Sequence, residues 1–295
     1  MMKMDREKLK NIAKILLKLL IGGAALAYVL TKIDLAEAGH LLAHIRVLPF
    51  LAAILFFVAS KLTSASRQHT LLKNLGIDIG LKNNTRLYWK GMFYNFFLPG
   101  GISGDGYKVV FLARKYTQSN KSIVLAVLYD RVYGVIALLI FLLAFYYFIP
   151  VYPQFRPFVW AGIPVVLILT WVVTKYLSPQ HLSSFFSLMG SSFLVQLFQL
   201  ICCTLLMLSL RVESNYLVYL FIFLVSSVVA VLPLTIGGMG AREITFFYFA
   251  GMLHLQTNTS VMISLLFFLI SLVSSIPGFF FSLEEIKGNK ITPHD

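Results

Sequence analysis

Asn95-Phe96-Phe97-Leu98-Pro99-Gly100-Gly101-Ile102-Ser103-Gly104-Asp105-Gly106-Tyr107-Lys108 places one proline, four glycines and a carboxylate inside a hydrophobic neighbourhood. A continuous helix does not tolerate that composition, because proline removes a donor and clashes with the preceding turn while each glycine adds backbone entropy. Backbone broken at membrane depth must be buried in protein or line a polar cavity. The stretch therefore reads as a site.

The surroundings are membranous. Of the 295 residues 58% are hydrophobic and only 13% charged, and the mean hydropathy is +0.81. Apolar runs near the ~20 residues that cross a bilayer recur throughout, which predicts an all-α polytopic membrane protein. A β-barrel is excluded, since the runs are uninterrupted and do not alternate with period two. The net charge of +13 does not point to nucleic acid: the basic residues collect beside apolar runs, where they set topology and meet anionic headgroups at the cytoplasmic face. Cys202 and Cys203 are adjacent in an apolar run and offer neither metal spacing nor a disulfide framework.

Working outward from the break, Leu87–Leu98 is apolar for only about 12 residues, about 18 Å of helix against a ~30 Å core, which predicts a re-entrant half-helix. Before it stand a retained first helix, Ile12–Leu30, with a cytoplasmic basic start, and a second at Val47–Leu62 with Pro49 in its first turn. The basic segment Lys61–Lys90 between them and the break reads as cytoplasmic and interfacial. After the break come predicted helices at Ser122–Phe148, Phe158–Val173 with Pro164 as a kink, Ser184–Leu210, Tyr216–Leu232, Ile244–Leu253 and Val261–Leu283. Gln196 and Gln199 share one face and either join helices or line a cavity. About eight transmembrane segments result if Ile244–Leu253 crosses together with the break before it, since its ten residues alone do not span, with both termini and most of the 25 Lys and Arg cytoplasmic. The whole chain, 1–295, reads as a single transmembrane domain with halves at 1–148 and 155–295.

The halves echo one another. Leu232-Pro233 through Arg242-Glu243 aligns with the first break, matching Leu98-Pro99 to Leu232-Pro233, Ile102 to Ile236, Gly104 to Gly238, Gly106 to Gly240 and Lys108 to Arg242. Two interrupted helices in corresponding positions predict an inverted repeat and a central transporter site. The echo is chemically asymmetric, because Met239 stands where the first break has Asp105.

Asp105, Asp130, Arg131, Arg242 and Glu243 lie in apolar context and must meet one another, meet helix ends or line a wet cavity. Half-helix starts expose backbone N–H groups that attract an anion such as phosphate. The expected lipid-phosphate site therefore combines Gly104 and Lys108 from the first break with Gly237, Gly238, Gly240 and Arg242 from the second. Asp105 either caps the helix after it or pairs with Arg131, Asp130 is placed to pair with Arg242, and Glu243 occupies a first turn where its charge is favoured. No metal ligand set, P-loop, H-E-x-x-H or G-x-S-x-G is present, so no cofactor is expected.

These residues resemble the transmembrane region of the lysylphosphatidylglycerol synthase family, a flippase-like membrane domain of bacteria and archaea. The resemblance rests on Asn95, Pro99 and Gly104-Asp105 with Lys108, on Asp130-Arg131-Val132-Tyr133-Gly134, and on Pro233, Gly237-Gly238-Met239-Gly240 and Glu243, in that order. It implies that Asn95 and Arg131 belong to the site too. The family's position 108 is usually Arg, so Lys108 would meet phosphate as a point charge and not as a fork. The synthases carry a cytosolic aminoacyl-transferase domain after this region, and the chain reads as a stand-alone relative without it. The implied role is movement of an anionic or modified phospholipid, or a polyprenyl-phosphate lipid, across the cytoplasmic membrane. Two alternatives stay open: a lipid-binding partner of a separate lipid-modifying enzyme, and a membrane lipid transferase using Asp105 or Asp130 as base.

Overall fold

The computed structural model describes residues 17, 20, 22–97, 103–149, 153–232 and 238–288, with the side chains of Pro153 and 284–288 left aside. The described chain is helical. In order it runs α1 (22–32), α2 (Leu35–Ala43), α3 (Val47–Lys73), α4 (Leu81–Phe97), α5 (Ser103–Lys115), α6 (Asn120–Tyr146), α7 (Arg156–Leu177), α8 (Phe185–Ser209), α9 (Tyr216–Val231), α10 (Ala241–Met252), α11 (Thr257–Ser275) and α12 (Pro277–Gly288). The expected start of the first helix at Ile12 falls outside the described residues.

About eight spans were expected; five of the described segments are long and apolar enough to cross. They are Val47–Lys73, Asn120–Tyr146, Arg156–Leu177, Pro179–Ser209 and Thr257–Leu283. The expected crossings at Tyr216–Leu232 and Ile244–Leu253 are not among them. The reason is length: α9 has 16 residues and α10 has 12, about 24 and 18 Å of rise against a ~30 Å core. The two pack on each other as a hairpin. So do α4 and α5, of 17 and 13 residues. The protein is a multi-pass α-helical membrane protein, with five long spans and two short-helix hairpins among the described residues.

The largest helix interface joins α3 to α8. Small side chains make it close: Ala53, Ser60, Ser64 and Ala65 are buried on α3, and Ser192, Cys202 and Cys203 on α8. In a bilayer, where lipid tails are as apolar as leucine, such small residues drive helix association by allowing close packing. The buried cysteines serve here as small apolar fillers. The main core cluster takes Val29, Phe57, Leu138, Cys202, Phe223, Phe246 and Phe267, side chains from both halves of the sequence. Lipid-side faces are apolar and exposed, as at Leu48, Leu55, Phe158, Trp160, Ile168 and Phe186.

Each hairpin closes through glycine. A Cβ on Gly104 would run into the Gly91 backbone, and one on Gly91 into the Lys108 stem, so α4 and α5 cross with no side chain between them. In the second hairpin Gly238 and Gly240 adopt φ of 80° and 81°, left-handed conformations that cost other L-residues about 1–2 kcal/mol. Gly240 also lies against the Gly22 carbonyl of α1. Around the first hairpin, α12 lies on α4, with Gly278 against the Trp89 backbone, and the Trp89 indole donates to the Ser274 carbonyl at 3.0 Å.

Candidate functional site

A cavity of about 330 Å³ lies between the hairpins and the long spans α3, α6, α8 and α11. Both interruptions border it: Asn95 and Phe96 end α4 on one side, while Ala230–Leu232, Gly238 and Arg242 frame the second break on the other. A larger hollow of about 560 Å³ among His40, Arg211, Glu213 and His254 is lined largely by the turns that join helices. The central cavity is the one where charge meets broken helix.

Its charged lining comprises Lys61, Arg67, Asp130, Arg131 and Arg242. Two of these come from a helix longer than its apolar run predicts. The expected second helix ends at Leu62, with Lys61 and Arg67 in a cytoplasmic segment; α3 instead continues unbroken to Lys73. Arg67 is 5% exposed, donates from Nε to Asp130 Oδ1 at 2.8 Å and from Nη1 to Ser192 Oγ at 2.9 Å. Asp130 therefore pairs with Arg67, not with Arg242 as expected, because α3 runs beside α6 and brings the guanidinium to it. Gly134, one turn beyond Asp130, lies against that guanidinium: a Cβ there would be in ordinary van der Waals contact with it at 3.6 Å. The signal for Arg67 was spacing. Phe57, Lys61, Ser64 and Gln68 follow one another at helical intervals, with Arg67 beside them, and continue the face begun in the apolar run.

The first hairpin resolves its charges locally. Asp105 is paired to Arg131 and lies 3.4 Å from Lys108 Nζ. Lys108 is buried with its ammonium 4.3 Å from the centre of the Tyr88 ring. The α5 start is stitched to α4: Asn95 Oδ1 accepts from the Gly104 N–H at 2.9 Å, and Ser103 Oγ donates to the Tyr94 carbonyl at 2.7 Å. One of the free donors expected at this helix start is therefore taken by the protein itself. Asn95 and Arg131 border the cavity, whereas Gly104, Asp105 and Lys108 lie behind its wall.

At the second hairpin Glu243 is 1% exposed. Its Oε2 accepts from the Gly240 N–H at 2.7 Å and its Oε1 from Ser264 Oγ at 3.0 Å. The carboxylate thus closes its own helix start, three residues along from the left-handed glycine, and ties α10 to α11. Its neighbour Arg242 turns to the cavity, donating to Ser227 Oγ at 3.1 Å and lying 4.9 Å from the Phe267 ring centre. Gly238 borders the same space, Gly240 and Glu243 do not, and Gly237 lies outside the described residues.

Lys61 completes the lining. Its ammonium lies 4.6 Å from the centre of the Phe57 ring. Gln196 and Gln199 both line the cavity, and Gln196 also joins helices by donating to the Gly134 carbonyl at 3.2 Å. Among the described residues no group of three or more His, Cys, Asp or Glu is placed to hold a metal ion.

A cavity of this kind, cationic, bordered by broken helices and set among membrane spans, is suited to an anionic headgroup whose tails stay in lipid. A search of curated proteins found no match. The family model described as Lysylphosphatidylglycerol synthase TM region matches residues 15–188 and 175–278, most of the chain and both hairpins, and the protein belongs to that family.

Proposed function

We propose that the protein translocates a lipid bearing a phosphate headgroup across the cytoplasmic membrane, passing the headgroup through the central cavity while the acyl or prenyl tails remain in the bilayer. The observation that carries this reading is the bordering of one basic cavity by both interrupted hairpins. Hairpins of short helices are poorly anchored to either bilayer face, since neither arm spans the core. Rocking of one against the five long spans would open the cavity to each leaflet in turn, the motion expected of paired discontinuous helices. Family membership supports a flippase-like role in general. Lys61 and Arg242 are assigned to the phosphate, Asn95 and Gly238 to the borders at the two breaks, and Arg67–Asp130 and Asp105–Arg131–Lys108 to the walls.

Vesicles containing the purified protein and a fluorescent phosphatidylglycerol test it. Exchange between leaflets should be faster than in empty vesicles and should fall to the empty-vesicle rate when Lys61→Gln and Arg242→Gln are combined. Equal exchange by wild type and that variant would contradict the assignment.

A further inference from the structure

We infer that the headgroup this cavity accepts carries phosphate but no ammonium group, so that aminoacylated and ethanolamine lipids are excluded from it. The inference rests on the reading of the cavity as a lipid-headgroup site, and it narrows that reading by charge.

Negative charge is scarce in the cavity. Asp130 is the one carboxylate in its lining, and Oδ1 already accepts from Arg67. Asp105, behind the wall, is shared between Arg131 and Lys108. Glu243 spends one oxygen on the Gly240 N–H and the other on Ser264. An ammonium entering the cavity would have to share Asp130 with Arg67, among lining side chains that are otherwise basic or uncharged.

The cations are not matched in the same way. Four of the five charged side chains in the lining are basic, and among the described residues neither Lys61 nor Arg242 has a carboxylate partner. Lys61 meets the Phe57 ring, and Arg242 meets the Phe267 and Phe223 rings and the Ser227 hydroxyl. Aromatic faces hold a cation in position without neutralising it. The remaining polar lining, Ser64, Gln196, Gln199, Ser227 and Ser271, is uncharged and serves phosphodiester oxygens or hydroxyls equally. The space is about 330 Å³, at the small end for a ligand pocket, and an ethanolamine ammonium, two carbons from the phosphate oxygen, stays near Lys61 and Arg242 when they hold that phosphate. Like charges confined together in this way are the standard device for rejecting a wrong ligand.

The test is a titration of the intact protein in neutral detergent with dioctanoyl phosphatidylglycerol, dioctanoyl phosphatidylethanolamine and dioctanoyl lysyl-phosphatidylglycerol, at one salt concentration. Phosphatidylglycerol should bind about tenfold or more tightly than either ammonium lipid. Combining Lys61→Gln with Arg242→Gln should abolish that preference, and combining Lys61→Arg with Arg242→Lys should retain it. If the neutralised pair does not fold, the single change Lys61→Glu should move the preference toward the ammonium lipids. Lysyl-phosphatidylglycerol or phosphatidylethanolamine binding as tightly as phosphatidylglycerol would overturn the inference, as would a preference indifferent to all these changes. Translocation stands apart: preserved selectivity without leaflet exchange would contradict the proposed function alone, and exchange without selectivity would contradict this inference alone.

Discussion

The two hairpins solve the same backbone problem with opposite electrostatic outcomes. In α4–α5 the cation at the break, Lys108, is drawn into a cluster with Asp105 and Arg131 and buried against Tyr88. In α9–α10 the corresponding Arg242 is beside a carboxylate, yet Glu243 turns to the Gly240 backbone and to Ser264. One break shares its cation with a carboxylate inside the protein and the other presents its charge to the cavity. The difference begins at a single aligned pair, Asp105 against Met239. Two breaks alike in glycine and proline differ in charge, with the first hairpin a wall and the second a contact surface.

That contrast can be broken most severely at the glycines. Gly104→Ala should cost at or above the ~1–3 kcal/mol usual for overpacking, because the added methyl meets the Gly91 backbone, which cannot rotate away. Thermal unfolding followed by size-exclusion chromatography would register it as loss of the monodisperse protein. Gly240→Ala should be comparably damaging, through the left-handed φ and the Gly22 carbonyl together.

Next in size is the Arg67–Asp130 pair. Removing one partner from a buried ion pair leaves an uncompensated charge and typically costs 3–5 kcal/mol, whereas replacing both is far milder. Arg67→Met or Asp130→Asn alone should therefore lower the melting temperature sharply, and the double variant should recover much of the loss. Additive losses in the cycle would show that the two do not act as a pair.

The sharpest comparison sets Lys108 against Arg242. Lys108→Met should reduce stability by removing one of the two cations that hold Asp105 and the contact with the Tyr88 ring, while leaflet exchange per folded molecule falls little. Arg242→Gln should do the reverse, keeping the melting temperature near wild type while exchange falls. Identical profiles for the two variants would erase the distinction between wall and contact surface.

Smallest is the cap. Asn95→Ala removes the acceptor for the Gly104 N–H and should cost about 1 kcal/mol, detectable as faster amide exchange at the start of α5.

Much of this arrangement is legible in the sequence, and the rest fails for identifiable reasons. Proline and glycine punctuation located both breaks, and apolar runs located the long helices to within a few residues except at one end. That end was α3. A topology rule that assigns basic residues to the cytoplasmic side reads Lys61 and Arg67 as the close of a helix, when their spacing along the face of Phe57 and Ser64 continues it. The number of crossings was overcounted because hydropathy cannot tell a 16-residue span from one arm of a hairpin; only the packing of α9 on α10 does so. Pairing was legible where partners lay within one sequence neighbourhood or had few rivals, as for Asp105 and Arg131. It was not legible for Asp130, whose partner Arg67 lies beyond the expected end of the second helix at Leu62, in a stretch whose charge reads as cytoplasmic.

The central claim is that Lys61 and Arg242, without carboxylate partners among the described residues, hold a lipid phosphate between the hairpins. A density map of the protein in nanodiscs of phosphatidylglycerol tests it most directly. The account predicts a phosphate in the cavity within hydrogen-bonding reach of both side chains, with the lipid tails leaving between helices. A cavity filled by protein or acyl chain, with Arg242 paired to Glu243 and headgroups confined to the bilayer surface, would contradict it.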